Sequence, residues 1–296
     1  MFRRALPARL RAVPAPWRHP APCSTQRLRW RGRVALAVPP FILWLFPTRS
    51  LAVKGWAARR ATVAGRFEYI RQRLGLDHAK EGALPPEFDW RKQALLYMPR
   101  GIPDVRNPAF SQAAADEIVK LLELSQGRAF CLFTSYSQMN DLFERVRGRV
   151  SFPLLLQGTA PRSVLLERFK NTESAVLFAT ASFWQGVDVP GDQLSCVIID
   201  RLPFAVPSDP IVAARVKALQ EDGRNAFAEF QVPQAVLALK QGFGRLIRTK
   251  TDRGVLALLD SRIQRMAYGK IFLESLPGYG TTQELSDVAK FLEQKA

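Results

Sequence analysis

Short, unbroken apolar runs alternate along the chain with longer stretches whose apolar residues recur every three or four positions. The runs Gln93–Met98, Arg128–Thr134, Leu154–Leu156, Ala175–Ala179, Leu194–Asp200 and Val255–Asp260 have the length and continuity of strands buried on both faces. Helical patterns lie between and around them. They cover Phe67–Leu74, Ala109–Leu124, Gln138–Val146, Ser163–Phe169, Pro210–Gln220, Tyr268–Leu276 and Glu284–Gln294, with Ala226–Lys240 broken at Pro233. Val255–Asp260 reads as the last clear strand. This alternation predicts an α/β fold: a three-layer domain with a mainly parallel sheet covered by helices on both faces.

Residues 1–60 do not share the pattern. Arg, Pro, Ala and Trp dominate, and 13 Lys and Arg occur there without a single Asp or Glu. The remaining residues hold 30 basic against 26 acidic side chains, so most of the formal charge of +17 belongs to this segment. A mild positive balance in the body suits a nucleic-acid partner without demanding one. Three readings compete for residues 1–60: an Arg-rich targeting segment, a membrane segment at Val34–Phe46, or a stretch never selected for structure, from a displaced frame or start. The membrane reading suffers because Pro39-Pro40 interrupts a run already short of the ~20 residues that span a bilayer. The third reading is preferred, with disorder or poorly packed helix expected there. The division is therefore 1–60 as an irregular basic segment and 61–296 as the folded domain, with a cytoplasmic location and no membrane partner expected.

Cysteine and histidine usage narrows the chemistry. Cys23, Cys131 and Cys196 are far apart, and Cys131 and Cys196 sit within apolar runs, so they read as buried thiols. Three cysteines cannot supply the four thiolates of an iron–sulfur cluster. His19 and His78 have no partner cluster, and no metal site is assigned.

In a parallel sheet, function gathers at loops following the strands, and three segments stand out. Thr134-Ser135-Tyr136-Ser137 opens a helix; its hydroxyls and free N–H groups suit a phosphate, although plain N-capping by Ser135 or Ser137 is the more economical reading. Thr180–Gly191 carries Gly186, which permits close backbone approach, and the carboxylate of Asp188. Its aromatics Phe183 and Trp184 suit base stacking, but core packing is preferred for them. The third segment, Gln241-Gly242-Phe243-Gly244-Arg245-Leu246-Ile247-Arg248, places two arginines three residues apart, on one face if the segment is helical. Two such cations suit a phosphate undergoing cleavage. A folded arrangement bringing the second and third segments to one nucleotide is expected. Asp200-Arg201-Leu202-Pro203-Phe204 reads as a structural corner, with a nucleic-acid track as the alternative.

Together these segments resemble superfamily 2 helicases of the DinG/XPD-type branch. Thr180–Gly191 resembles motif V, Gln241–Arg248 motif VI, and Phe133-Thr134-Ser135-Tyr136 motif IV, within a similarity running from about Phe67 to about Pro277. The resemblance implies a RecA-like second motor domain, with ATP and magnesium held between it and a first motor domain and single-stranded DNA crossing both. By position, Gly186 and Asp188 would be nucleotide-binding, Gln241, Arg245 and Arg248 would reach the γ-phosphate, and Thr134, Ser135 and Tyr136 would face DNA. Gln185 stands where a glutamate is common in the family. The sequence contains no Gly-x-x-x-x-Gly-Lys-Ser/Thr loop and no Asp-Glu-x-His run. Of the family's Ser-Ala-Thr motif only Arg60-Ala61-Thr62 remains. The expectation is a C-terminal motor half, inactive alone, either encoded separately from its ATP-binding partner domain or truncated. The alternatives are a non-enzymatic single-strand-binding module or a decayed fragment.

Overall fold

A computed structural model describes residues 62–75, 88–180, Phe183, Val189, 193–247 and 249–294, together with the backbone of 34–38 and 41–45. The last two stretches are strands β1 (Val34–Val38) and β2 (Phe41–Leu45), paired antiparallel with Val38 opposite Phe41. Both strands fall within the segment for which the sequence suggests disorder or poorly packed helix. Among the described residues no helix is long and apolar enough to cross a membrane.

The body begins with α1 (Glu68–Leu74), which Gly75 closes in a left-handed conformation, as the sequence pattern indicates. A short helix, α2 (Trp90–Gln93), leads directly into β3 (Ala94–Tyr97). Then follow α3 (Phe110–Leu124), β4 (Ala129–Phe133), α4 (Tyr136–Val146), β5 (Leu154–Leu156), α5 (Arg162–Asn171), β6 (Val176–Thr180) and β7 (Cys196–Ile199). The second half holds α6 (Pro210–Glu221), α7 (Val232–Phe243), β8 (Gly254–Leu258), α8 (Arg262–Arg265), α9 (Gly269–Ser275), β9 (Gly280–Thr282) and α10 (Leu285–Glu293).

Seven strands form one sheet in the order β5-β6-β4-β7-β8-β3-β9, and each pairing is parallel. Side chains of the central strands alternate between two cores. Phe130, Leu132, Leu177, Ala179, Val197 and Ile199 join α5, α7 and α9 on one face. Ala129, Cys131, Phe133, Val176, Phe178 and Ile198 join α3, α4 and α10 on the other. That two-sided burial is why these strands read as continuous apolar runs. Cys131 and Cys196 are free and buried, and burial pushes the Cys196 thiol up to about 12 and the Cys131 thiol well above its usual range. Neither forms a thiolate near neutrality.

Two expectations need correction. Pro233 does not break the helix near residue 230. A π-helical turn, Phe227–Gln231, runs without a break into α7, and this wider turn accommodates Pro233 within continuous helical backbone although it has no N–H to donate. Val255–Asp260 is not the last strand, because β9 pairs with β3, Leu95 opposite Gly280.

Candidate functional site

Parallel register brings the carboxyl ends of β4, β6, β7 and β8 into line: Phe133 lies opposite Thr180, Leu132 opposite Ile199, and Ile199 opposite Leu258. Thr134, Ser135 and Tyr136 sit on that edge, at the β4–α4 turn. Ser135 is the N-cap of α4, and its hydroxyl accepts from the Gln138 N–H at 3.3 Å. Plain capping thus occupies that oxygen. Tyr136 is 55% exposed. Its hydroxyl accepts from Gln157 Nε2 at 2.5 Å.

Gly186 and Asp188 lie outside the described residues, as do Trp184 and Gln185. Beyond Thr180, two residues of the same segment are described. Phe183 and Val189 are buried and share a core cluster with Phe243, Leu246 and Ile247. Phe183 is therefore core, and the second and third segments pack against a common interior.

The third segment differs from its expected geometry. Helix α7 ends at Phe243, with Gly244 as its C-cap, so Arg245 sits in a turn beyond the helix. Two glycines in four residues make the helix end there. Arg248 lies outside the described residues. The segment also precedes β8 and does not follow a strand, so it approaches the sheet from the amino end. There Leu246 packs against Gly254. A Cβ on Gly254 would stand 2.7 Å from Leu246 Cδ1 and 2.5 Å from the Ser195 carbonyl oxygen. Gly254→Ala is expected to cost about 1–3 kcal/mol through overpacking. A urea midpoint indistinguishable from that of the parent chain would contradict this contact.

Arg245 is half-buried. Burial, and then the positive field of Arg162, lower its pKa. The Arg162 guanidinium itself lies 5.4 Å from the Phe183 ring centroid. Two guanidinium groups from α5 and the α7 turn thus act on one region beside the Phe183 segment.

Sequence reading missed the residues that fix this turn. Asp252 is buried, and its carboxylate accepts from Thr249 N at 2.9 Å and Thr249 Oγ1 at 2.7 Å. Gln93 Nε2 donates to the Thr249 and Asp252 carbonyls, at 2.9 Å each. The chain on both sides of Arg248 is therefore pinned. Lys240, just before Gln241 in the last turn of α7, is buried, and its ammonium donates to the Thr62 carbonyl at 2.8 Å. Gln241 itself is half-buried.

The Asp200–Phe204 corner is structural, as preferred. Leu202 N donates to Asp260 Oδ2 at 2.7 Å, and Arg201 Nη2 donates to Gln138 Oε1 at 2.7 Å. Asp200 is buried at the end of β7, with Arg201 Nε 3.6 Å from Oδ2, too far for a hydrogen bond. Burial pushes its carboxyl up to about 7. Arg201 and the nearby Arg201 and Thr134 N–H groups oppose that shift, while Asp260 adds to it.

An open, all-parallel seven-stranded sheet covered by helices on both faces is a RecA-like fold. The model of the helicase C-terminal domain family matches residues 118–279, more than half of the chain. The chain belongs to that family. It is 42% identical over 242 residues to the ATP-dependent DNA helicase YoaA of Haemophilus influenzae, covering 81% of this chain and 38% of that protein. It is 38% identical over 239 residues to the ATP-dependent helicase DinG of Mycobacterium tuberculosis, covering 79% and 36%. The chain thus spans less than two-fifths of these relatives. A solved XPD helicase structure shares the fold, with a TM-score of 0.54 at 17% identity, covering 73% of this chain and 41% of that one.

Proposed function

We propose that this chain is the C-terminal motor half of an ATP-dependent DNA helicase, with residues 61–296 as the motor unit and 1–60 as a separate basic segment. The observation that carries this reading is the Arg245 turn, half-buried beside Arg162 and packed with the Phe183 segment inside the family-matched region. In this reading Arg245, Arg248 and Gln241 meet the terminal phosphate of ATP, and Gly186 and Asp188 line the nucleotide. Thr134, Ser135 and Tyr136 contact single-stranded DNA, chiefly through the exposed Tyr136 ring, because the Ser135 hydroxyl is engaged in capping. ATP supplies the phosphoanhydride whose cleavage drives the motor. Magnesium enters with ATP, and only when a first motor domain is present.

Arginine fingers act on a nucleotide that another segment grips. The given sequence has no phosphate loop, so the test supplies a first motor domain as a separate polypeptide. The test is to mix this chain with a polypeptide carrying the phosphate loop and acidic motif of a relative, then follow ATP hydrolysis with and without single-stranded DNA. DNA-stimulated hydrolysis in the mixture, absent from either component, is expected. No hydrolysis despite complex formation would remove the motor reading and leave a binding module.

A further inference from the structure

We propose that Gln157 is a positioning residue that holds the Tyr136 ring for stacking on a base of single-stranded nucleic acid and ties it to the last residue of β6. The proposal deepens the reading of Tyr136 given above and rests on it.

Gln157 immediately follows β5. Its backbone N–H donates to the Phe178 carbonyl at 2.9 Å, extending the β5–β6 pairing by one residue. The next turn is closed by Thr159, whose Oγ1 donates to the Leu156 carbonyl at 2.8 Å. The side chain therefore projects from fixed backbone. Its carboxamide faces two residues from two other strand ends. Oε1 accepts from Thr180 N at 2.6 Å and from Thr180 Oγ1 at 3.0 Å, while Nε2 donates to the Tyr136 hydroxyl at 2.5 Å.

The orientation of that amide is determined by chemistry. A backbone N–H only donates, so the end facing Thr180 must be the oxygen. The NH₂ end then donates to the tyrosine. Tyr136 is the first residue of α4, and more than half of its surface is open. An exposed ring on a helix start would ordinarily sample several rotamers, and ordering it on binding would weaken affinity. The Gln157 bond fixes the ring through its hydroxyl and leaves its face available, the arrangement a sequence-tolerant stacking platform needs. Thr180, at the other end of the amide, is where the Phe183 segment begins. One side chain thus joins the DNA-side turn to the strand that feeds the nucleotide side.

The experiment uses the full chain and a thymidine oligonucleotide carrying one 5-iodouracil, which couples on irradiation to a stacked aromatic side chain. Peptide mapping gives the share of crosslink at Tyr136 and separates it from binding by the basic segment. Gln157→Met removes both ends of the amide at similar length. It should lower the Tyr136 share about three- to tenfold, as expected for losing one pre-organising contact, with the thermal midpoint little changed. Gln157→Glu keeps an acceptor for Thr180 and accepts the phenolic proton instead, so it should restore the share. Tyr136→Phe should lower the share as Gln157→Met does, and the double variant should fall no further.

An unchanged share in Gln157→Met, or additive losses in the double variant, would overturn the positioning role. So would loss of fold in Gln157→Met combined with a normal share in Tyr136→Phe. Absence of any Tyr136 crosslink in the parent chain would instead overturn the DNA-facing assignment of that turn, and this inference with it. The reading of Arg245 would still be decided separately by the ATPase mixture.

Discussion

Arg245→Ala is expected to abolish the DNA-stimulated ATPase of the reconstituted mixture, by about 10³–10⁵-fold, the range an arginine finger contributes when its partner domain grips the nucleotide. The half-buried guanidinium lies within the field of Arg162, and its turn is anchored by Leu246 against Gly254. Truncation therefore removes the charge without releasing the turn. Arg245→Lys should also fall well below the parent, because an ammonium cannot reproduce the planar, two-pronged contact. Oligonucleotide binding should stay near the parent value in both variants, since Tyr136 lies on the opposite edge of the sheet. Activity in Arg245→Ala within about tenfold of the parent would contradict a finger role.

The second large effect concerns stability and Asp200. Its carboxyl is raised to about 7 by burial, whereas an exposed aspartate titrates near 4. The folded chain thus holds this proton more tightly than the unfolded chain does. The stability contributed is complete below the unfolded value and is lost as pH rises toward 7, after which no further change comes from this group. About three pH units correspond to roughly 4 kcal/mol as an upper bound. Urea unfolding should therefore show the parent weakening between pH 4 and pH 7, and Asp200→Asn losing much less over the same range. Parallel pH profiles for the two proteins would show that Asp200 is already compensated, by Arg201 or by the Thr134 N–H.

Much of the architecture was legible because two-sided burial leaves a plain mark. Ala129–Phe133 and Val176–Thr180 are apolar at nearly every position, and each is buried throughout. Strand β9 carries no such mark: Gly280-Thr281-Thr282 pairs along one edge only and stays partly exposed. The π-helical turn at Phe227–Gln231 was equally hidden, since one extra residue in a helix barely disturbs its apolar period. In the third segment the residue types were visible and the conformation was not. Arg245 and Arg248 suggested a shared helical face, but Gly244 ends the helix before either is reached.

The supporting side chains were the least legible. Gln157, Gln93 and Asp252 look like ordinary loop polar residues, and their meaning depends on partners remote in sequence. Gln93 reaches the Thr249 carbonyl, and Lys240 reaches Thr62. Side-chain amides have no periodic signature, so only the folded geometry shows which of them bridge two elements.

The strand order also bears on how the chain is made. β3 pairs with β8 and β9 alone, so Ala94 waits for Gly254, about 160 residues later, and for Gly280 after that. At ribosomal speeds of about 5–20 residues per second, that is roughly ten to thirty seconds with an apolar strand still unmatched. During synthesis the Ala94–Tyr97 strand therefore stays unmatched until Gly254 emerges, and a product truncated before Gly254 would keep it so.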